Sequence, residues 1–246
     1  MSQHLTKPFT DYRESHKGRG HDYHRSFTEV PHRVVMWELE QGFLRSILAM
    51  FSNPAQVRML DFASGTGRII GTLEPHVASA VGVDIAASML DCARQNGVKS
   101  ELIVADLTAE NAPELGTFDL ITAFRFFPNA EPELRAAAIR ALASRLAPGG
   151  RLVFNNHLNA SGSVFWLMRL FRKPFAREAV PESEIHALIA AAELRIERTF
   201  HSGVAPATEL VNVFPIFLLR PFERMASRLP FLRPLAQNIV YVCRKS

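Results

Sequence analysis

The sequence has few cysteines, little net charge and no long apolar run, and each scarcity narrows what the protein can be. Of its 246 residues two are cysteines, without a Cys-x-x-Cys pair or the Cys/His spacing of a metal site. Neither a disulfide framework nor a bound metal is therefore supported. The net charge of +4 is too small by itself to indicate a nucleic-acid partner. The longest apolar run, residues 213–219, is too short to cross a bilayer, and residues 1–12 lack the apolar core of a secretory signal. These features predict a cytoplasmic protein.

The chain is long enough for one large α/β domain. Residues 1–30 are polar and irregular, and from Pro31 to Phe51 apolar residues recur with helical spacing. This pattern predicts an N-terminal arm and covering helix over residues 1–52, followed by the main domain over residues 53–246. Strands are predicted near 57–61, 79–84, 101–105, 118–123, 151–155, 194–200 and 237–243, and helices near 67–74, 86–96, 131–146 and 182–192. Such alternation predicts a mostly parallel sheet with helices on both faces.

One segment carries the clearest functional signal. Between Val57 and Gly67 a short apolar run reaches Asp61, and a turn of small residues follows before the next helix. A buried strand that feeds such a turn presents backbone N–H groups to a ligand. Nineteen residues after Gly65 a second apolar run ends in Asp84, where an acid can accept hydrogen bonds from ribose hydroxyls. Together these features predict a cofactor that contains a nucleoside.

The position of the glycines distinguishes between two such cofactors. The dinucleotide fingerprint requires a third glycine three residues after the second, but Ile70 stands there and Gly71 follows one residue late. The turn instead resembles the first motif of the class I S-adenosylmethionine (SAM) dependent methyltransferases. Four further segments are similar to that family's later motifs, in the same order and at similar spacings: 82–90, 102–107, 118–124 and 146–152. The resemblance covers residues 57–156.

This resemblance implies a fold and a set of cofactor contacts. The implied fold is a Rossmann-like, mostly parallel seven-stranded sheet with an antiparallel last strand. Asp84 would hold the ribose, Asp106 the adenine amino group, and Asp61 the loop or the ammonium group of the cofactor. The implied SAM-binding residues are Asp61, Ala63, Ser64, Gly65, Thr66, Gly67, Asp84, Ile85, Met89, Ala105, Asp106, Leu107 and Phe124. Ala63 replaces the family's first glycine, which predicts that the backbone there is not left-handed. The alternative for Asp106 is a turn or N-cap residue.

Two residues are candidates for catalysis on the acceptor side of the site. Arg125 follows the fourth predicted strand and either binds an anionic group of the acceptor or pairs with a nearby acid. His157 lies in a polar cluster, residues 155–159, after the fifth strand. It is a candidate general base for a hydroxyl acceptor, and the alternative is a cluster that stabilises a turn. Residues 124–129 differ from the Asn-Pro-Pro-Tyr motif with which family members methylate adenine or amide nitrogens.

Two segments combine basic and aromatic residues with almost no acid. Residues 163–177 carry four basic residues and no acid, and residues 213–233 hold four arginines against the single acid Glu223. One interpretation is a pair of lid-like insertions, near 160–180 and 203–235, that cover the acceptor pocket and turn their arginines toward solvent. The other, which is compatible with the first, is a set of helices that lie at a membrane surface. Nucleic acid is disfavoured because the aromatic residues cluster with aliphatic ones.

The sequence therefore predicts a SAM-dependent methyltransferase that acts on an oxygen of a small-molecule or lipid-linked metabolite, such as a saccharide, glycolipid or polyketide. Alternatives are an N-methyltransferase of a small amine, a nicotinamide-dependent oxidoreductase and a non-catalytic SAM-binding scaffold. Peripheral contact with a membrane is compatible with a cytoplasmic location. The oligomeric state is left open.

Overall fold

A computed structural model describes residues 30–171, 179–207 and 215–245. The helices are α1 (Pro31–Leu48), α2 (Arg68–Leu73), α3 (Ala87–Gln95), α4 (Pro132–Ser144), α5 (Ser163–Leu170), α6 (Glu182–Ala191) and α7 (Ile216–Ala226). The strands are β1 (Arg58–Phe62), β2 (Ser79–Asp84), β3 (Glu101–Val104), β4 (Phe118–Ala123), β5 (Leu146–Asn156), β6 (Leu194–Ser202) and β7 (Asn238–Lys245). Short 3-10 helices occur at Pro54–Gln56, Glu74–His76, Phe127–Asn129 and Pro230–Leu235. The predicted N-terminal arm and parts of both basic segments lie outside the described residues.

The seven strands form one sheet in the order β3-β2-β1-β4-β5-β7-β6. Neighbours among β1 to β5 pair in parallel, whereas β7 pairs antiparallel with both β5 and β6. The predicted mostly parallel sheet with an antiparallel last strand is confirmed. The chain extends the sheet in one direction from β1 to β3 and in the other from β4 onward, so a switch point lies between β1 and β4. Ligands of open α/β sheets bind at such a point, beyond the carboxyl ends of the strands.

Helices cover both faces of the sheet because successive strand residues point to opposite sides. On one side, Leu60 of β1 and Phe154 of β5 belong to an apolar cluster with residues of α4 and α6. On the other side, the preceding residues, Met59 and Val153, belong to a cluster with residues of α1, α2 and α7. Strands buried on both faces carry the continuous apolar runs that the sequence shows. The covering helix α1 is thus part of one of the two layers.

Both cysteines of the chain lie within the described ranges. Cys92 and Cys243 are both buried and both free. Within these ranges no helix is long and apolar enough to cross a membrane. Nor do the described residues contain a group of three or more His, Cys, Asp or Glu side chains placed to hold a metal ion.

Candidate functional site

The turn after β1 adopts a backbone conformation that L side chains rarely take. Gly65 has a φ of 56° and Gly67 a φ of 79°, and Ala63 has a φ of 53°. The prediction that Ala63 avoids the left-handed region is therefore wrong. The next residue, Ser64, donates its backbone N–H to the Val83 carbonyl at 3.0 Å. A non-glycine residue persists in this region where the surrounding contacts hold it there, and this bond to β2 is one such contact.

Asp61 lies under this turn and is buried. Its carboxylate accepts hydrogen bonds from the Ser64 hydroxyl at 2.9 Å and from the Thr122 hydroxyl at 2.6 Å. Burial raises the pKa of Asp61 from 3.8 to about 6, although both hydroxyl donors act to lower it. Because Thr122 belongs to β4, Asp61 ties the turn to the strand on the other side of the switch point.

Asp84, the last residue of β2, joins two loops. One of its carboxylate oxygens accepts from the Gly65 N–H at 2.8 Å, and the other accepts from the Ala86 N–H at 2.9 Å. A carboxylate oxygen has two lone pairs and can accept more than one hydrogen bond. The side chain therefore both fixes the glycine turn and offers acceptors for hydroxyl groups of a ligand.

A cleft in two parts runs along this edge of the sheet, and Ala63 and Asp84 line both parts. The first part is largely apolar and is lined by Phe62, Val83, Ile85, Ala105, Asp106, Thr108, Phe126 and Leu134 as well. The second part is more polar and is lined by Asp61, Ser64, Gly65, Thr66, Arg68, Ile69, Met89, Phe124, Arg125 and Asn129 as well. The cleft thus suits a ligand with a flat apolar end and a polar end. Of the predicted cofactor residues, all except Gly67 and Leu107 line one part or the other.

Three of the predicted cofactor residues, Gly67, Leu107 and Asp106, contribute to packing or to a turn. A Cβ at Gly67 would lie 2.8 Å from the Ala93 Cβ, so glycine lets α2 pack closely on α3. The Leu107 side chain is buried in the core. Asp106 accepts from the N–H and the hydroxyl of Thr108, at 2.8 and 2.5 Å, which is the turn role weighed as its alternative. The turn role and a ligand contact are compatible, because Asp106 also lines the apolar part of the cleft.

Arg125, which follows β4, has a left-handed backbone with a φ of 59°. Its N–H donates to Asn155 Oδ1 at 2.6 Å, and its carbonyl accepts from Asn129 Nδ2 at 2.7 Å. Both backbone groups of this strained residue are therefore held by side-chain amides. The guanidinium is consequently carried on a fixed turn at the wall of the polar part of the cleft.

Comparisons with known proteins agree with this geometry. Residues 59–150 match the family model of a methyltransferase domain. Among solved structures, a SAM-dependent methyltransferase from Clostridium acetobutylicum has a TM-score of 0.62 at 16% identity, covering 92% of this chain and 98% of that one. The magnesium protoporphyrin IX methyltransferase of Synechocystis, with bound SAH, has a TM-score of 0.65 at 15% identity, covering 95% and 97%. At such low identities the likeness to solved structures shows the fold alone. The family model separately identifies residues 59–150 as a methyltransferase domain. The chain thus carries a methyltransferase domain at residues 59–150 and has the fold of SAM-dependent methyltransferases.

Curated relatives of this methyltransferase domain include two ubiquinone biosynthesis O-methyltransferases. That of Xanthomonas axonopodis pv. citri is 32% identical over 121 residues, which are 46% of this chain and 48% of the relative. That of Xanthomonas oryzae pv. oryzae is 28% identical over 160 residues, which are 58% of this chain and 64% of the relative. The chain thus spans about half of one relative and less than two thirds of the other.

The second candidate for catalysis, His157, follows β5 and lines neither part of the cleft. Its Nδ1 is buried and has no hydrogen-bond partner among the described residues. Burial lowers the pKa of His157 well below its ordinary value, and the nearby positive charges of Arg125, Arg33 and Arg68 lower it further. The imidazole is therefore neutral at physiological pH, in surroundings rich in arginine.

Much of the polar cluster around His157 stabilises the chain itself. Asn156 accepts from the Leu158 N–H at 3.2 Å and donates to the Val180 carbonyl at 3.0 Å. Asn159 donates to the Ala236 carbonyl at 2.8 Å. The turn-stabilising interpretation therefore describes these two asparagines.

A buried polar network that lies behind Arg125 was not predicted from the sequence. Asn155 Nδ2 donates to Asn238 Oδ1 at 2.8 Å, and Asn238 Nδ2 donates to Glu40 Oε1 at 3.2 Å. The other oxygen of Glu40, which is fully buried, accepts from Arg68 Nη1 at 3.1 Å. The available signal was the place of Glu40 on the apolar side of α1, four residues before the buried Leu44.

Proposed function

We propose that this chain transfers a methyl group from SAM to an oxygen of a small-molecule or lipid-linked metabolite. The observation that carries the proposal is the two-part cleft at the switch point, with Asp84 on the boundary between its apolar and polar parts. The names of the curated relatives, which are O-methyltransferases, support oxygen as the methylated atom. Nothing in the family assignment or the glycine spacing supports the alternative of a nicotinamide-dependent oxidoreductase.

The residues of the cleft fit the parts of SAM. Asp84 offers carboxylate acceptors to the ribose hydroxyls, and the apolar part, between Ile85 and Phe126, suits the adenine ring. Asp106 lies in the same part for the adenine amino group. Gly65 has no side chain to obstruct the polar part, where the methionine portion belongs. When bound, SAM supplies a methyl group activated by a positively charged sulfur.

The reaction itself requires little chemistry from the protein. The acceptor oxygen forms a bond to the methyl carbon, the carbon–sulfur bond breaks, and its electron pair goes to sulfur. The task of the chain is to align the oxygen with that bond and exclude water. Phe124 and Arg125 wall the polar part and are proposed to position the acceptor there.

His157 is proposed to take the proton of a hydroxyl acceptor. Its imidazole is neutral, and its buried Nδ1, which has no hydrogen-bond partner among the described residues, would take the proton once the acceptor hydroxyl reaches it. The positive charges of Arg33, Arg68 and Arg125, which depress the pKa of His157, also oppose a protonated amine. This electrostatic argument favours an oxygen acceptor over the alternative of a small amine.

The test is the transfer of a labelled methyl group from SAM to a cell extract that is then separated into lipid, water-soluble and macromolecular fractions. We expect label in the lipid or water-soluble fraction, in a product that releases labelled methyl iodide on treatment with hydriodic acid, as a methyl ether does and an N-methylamine does not under the same conditions. Label confined to macromolecules would contradict the proposal. SAM binding without transfer to any fraction would indicate the non-catalytic scaffold instead.

With an identified acceptor, the His157→Ala variant should show a kcat at least tenfold lower with an unchanged Kd for SAM, since a general base contributes about 10²–10⁴-fold. The loss should shrink when the acceptor is offered at a pH at which its hydroxyl is already ionised. The matched control is His76→Ala, which removes an exposed histidine and should leave kcat unchanged. An unchanged kcat in His157→Ala would show that this residue does not handle the proton.

A further inference from the structure

The described parts of the two basic, aromatic segments, residues 163–171 and 215–233, lie at the same edge of the sheet as the cleft. Because β5 and β6 are both antiparallel to β7, the carboxyl ends of β5 and β6 point the same way as those of the other parallel strands. Helix α5 follows β5, and α7 and the 3-10 helix Pro230–Leu235 lie between β6 and β7. These elements meet near Val204, whose carbonyl accepts from the Ser163 hydroxyl at 2.7 Å and whose side chain clusters with Ala226 and Leu232.

Helix α7 is oriented so that its single acidic residue, Glu223, points toward the protein interior. The buried Glu223 accepts hydrogen bonds from three consecutive backbone N–H groups, those of Gly203 at 2.9 Å, Val204 at 3.2 Å and Ala205 at 2.7 Å. On the adjoining side, Arg220 forms an ion pair with Glu38 of α1 at 2.9 Å. These bonds determine which side of α7 faces the protein.

The opposite side of α7 is apolar and exposed. Surface helices of globular proteins normally show the reverse arrangement, with the apolar stripe toward the core. On this helix Arg224 is exposed, as the lid interpretation expects, and large apolar side chains are exposed as well. Exposed large apolar side chains occur on all three neighbouring elements and define what we call the apolar face: Trp166, Leu170, Phe171, Phe217, Leu218, Phe222, Met225, Phe231 and Leu235. Their exposed fractions reach 64% at Trp166, 69% at Phe217 and 73% at Phe231.

Arginines border this apolar face. Arg220, Arg224 and Arg228 follow one another at four-residue intervals along α7 and just beyond it, and they line a groove together with Met225. A larger cleft between α1, β6 and α7, which we call the arginine cleft, is lined by Arg45, Arg198, Arg224, Arg228 and Arg233. Of the described residues that line it, one is acidic, Glu38. Arg45, Arg198 and Arg228 form no ion pair with any described residue.

We propose that the apolar face and the arginine cleft together dock this chain on the surface of an anionic phospholipid bilayer. Aromatic side chains beside arginines suit the boundary between acyl chains and headgroups, where rings insert and guanidinium groups meet phosphate. An apolar protein partner would bind the apolar face and a nucleic acid would bind the arginine cleft. An anionic bilayer offers both acyl chains for the apolar face and phosphate groups for the arginine cleft. Docking at this edge would open the acceptor side of the cleft toward the membrane, so that a lipid-linked acceptor could enter without crossing water.

Flotation of the full chain with lipid vesicles, in the absence of SAM and acceptor, tests the proposal. The probes are vesicles of phosphatidylcholine and phosphatidylglycerol in equal parts and vesicles of phosphatidylcholine alone. We expect binding to the anionic vesicles that weakens with added salt. Phe217→Ser and Phe231→Ser should each weaken it about tenfold, equivalent to about 1.4 kcal/mol. Arg228→Gln should weaken it about fivefold on anionic vesicles, in line with about 1 kcal/mol per arginine.

The control is Ile196→Ser, which removes an apolar residue 38% exposed near the opposite edge of the sheet and should leave vesicle binding unchanged. The substituted residues are exposed, so thermal unfolding of each variant should match the wild type and separate lost docking from lost folding. No flotation, equal flotation of all variants, or binding of an oligonucleotide in place of vesicles would overturn the proposal. Because the assay needs neither cofactor nor turnover, its failure would leave the proposed methyl transfer untouched.

Discussion

Replacing Asp61 by asparagine should make the protein more stable near neutral pH and remove part of the pH dependence of its stability. Burial raises the pKa of Asp61 from 3.8 to about 6. A carboxyl with a raised pKa holds its proton more tightly in the folded than in the unfolded state. The contribution of Asp61 to the free energy of unfolding is therefore largest below about pH 4 and is lost as the pH rises through about 6.

The size of this effect follows from the same shift. One pKa unit corresponds to about 1.4 kcal/mol, so ionisation of Asp61 should lower the free energy of unfolding by about 3 kcal/mol. Asparagine has nearly the same shape, and the hydroxyls of Ser64 and Thr122 that donate to the carboxylate can also accept from an amide. We expect Asp61→Asn to equal the wild type in stability at about pH 4 and to exceed it by up to about 3 kcal/mol at about pH 7.

The assay is urea unfolding of both proteins across this pH range, in which the difference between them cancels the contributions of other titrating groups. The Thr122→Val variant provides a second arm. It removes a donor that favours the ionised carboxylate, so the loss of stability with pH should become larger and extend to higher pH. A difference that does not change with pH would refute the reasoning. If the free energy of unfolding of the wild type instead increased relative to that of Asp61→Asn as the pH rises, the hydroxyl donors would outweigh burial in setting the pKa of Asp61.

Two further pairs of substitutions, each a test and its control, concern the glycine turn and the packing of the sheet. Asp84→Asn should weaken SAM binding about tenfold to a hundredfold in calorimetry, because hydrogen bonds to charged groups contribute about 1.5–3 kcal/mol. The control is Asp119→Asn, which also alters an acceptor of a backbone N–H at 2.8 Å and should bind SAM as the wild type does. Equal losses of SAM affinity in the two variants would contradict the assignment of Asp84 to the SAM site. Gly150→Ala should lower the free energy of unfolding by about 1–3 kcal/mol, because its Cβ would lie 2.8 Å from the Phe118 carbonyl oxygen. Gly42→Ala in α1, where an added Cβ meets nothing within 4 Å, should raise it by up to about 1 kcal/mol, and a destabilised Gly42→Ala would contradict the packing argument.

The strands and the turn that form the proposed cofactor half of the site could be predicted because their signals are local in the sequence. The bounds of β2 and β4 agree with the predicted strands at 79–84 and 118–123, since continuous apolar runs between turn residues define buried parallel strands. Asp84 ends one of these runs, so its place at the ligand edge follows from the strand itself. The distance from Gly65 to Asp84 then brings the two residues together across adjacent strands.

Other features depended on contacts that no local pattern contains. Statistics for φ predict an ordinary backbone at Ala63, but contacts between the turn and β2 impose the left-handed one. The amphipathic pattern of α7 indicates a helix but not which side faces the protein. That choice is made by Glu223, whose partners are 18 to 20 residues away along the chain.

The proposed acceptor half of the site is assembled from distant parts of the chain, which explains why the sequence indicates the cofactor but not the acceptor. Arg125 is held by Asn155, which bonds to Asn238, a residue 83 positions away. Asn238 bonds in turn to Glu40, 198 positions away, and Glu40 pairs with Arg68 at the glycine turn. A buried polar network is stable only when its members are satisfied together. The position of Arg125 in the cleft therefore depends on the docking of α1 and β7, and the same helix α1 also anchors α7 at the proposed membrane face through the ion pair between Glu38 and Arg220.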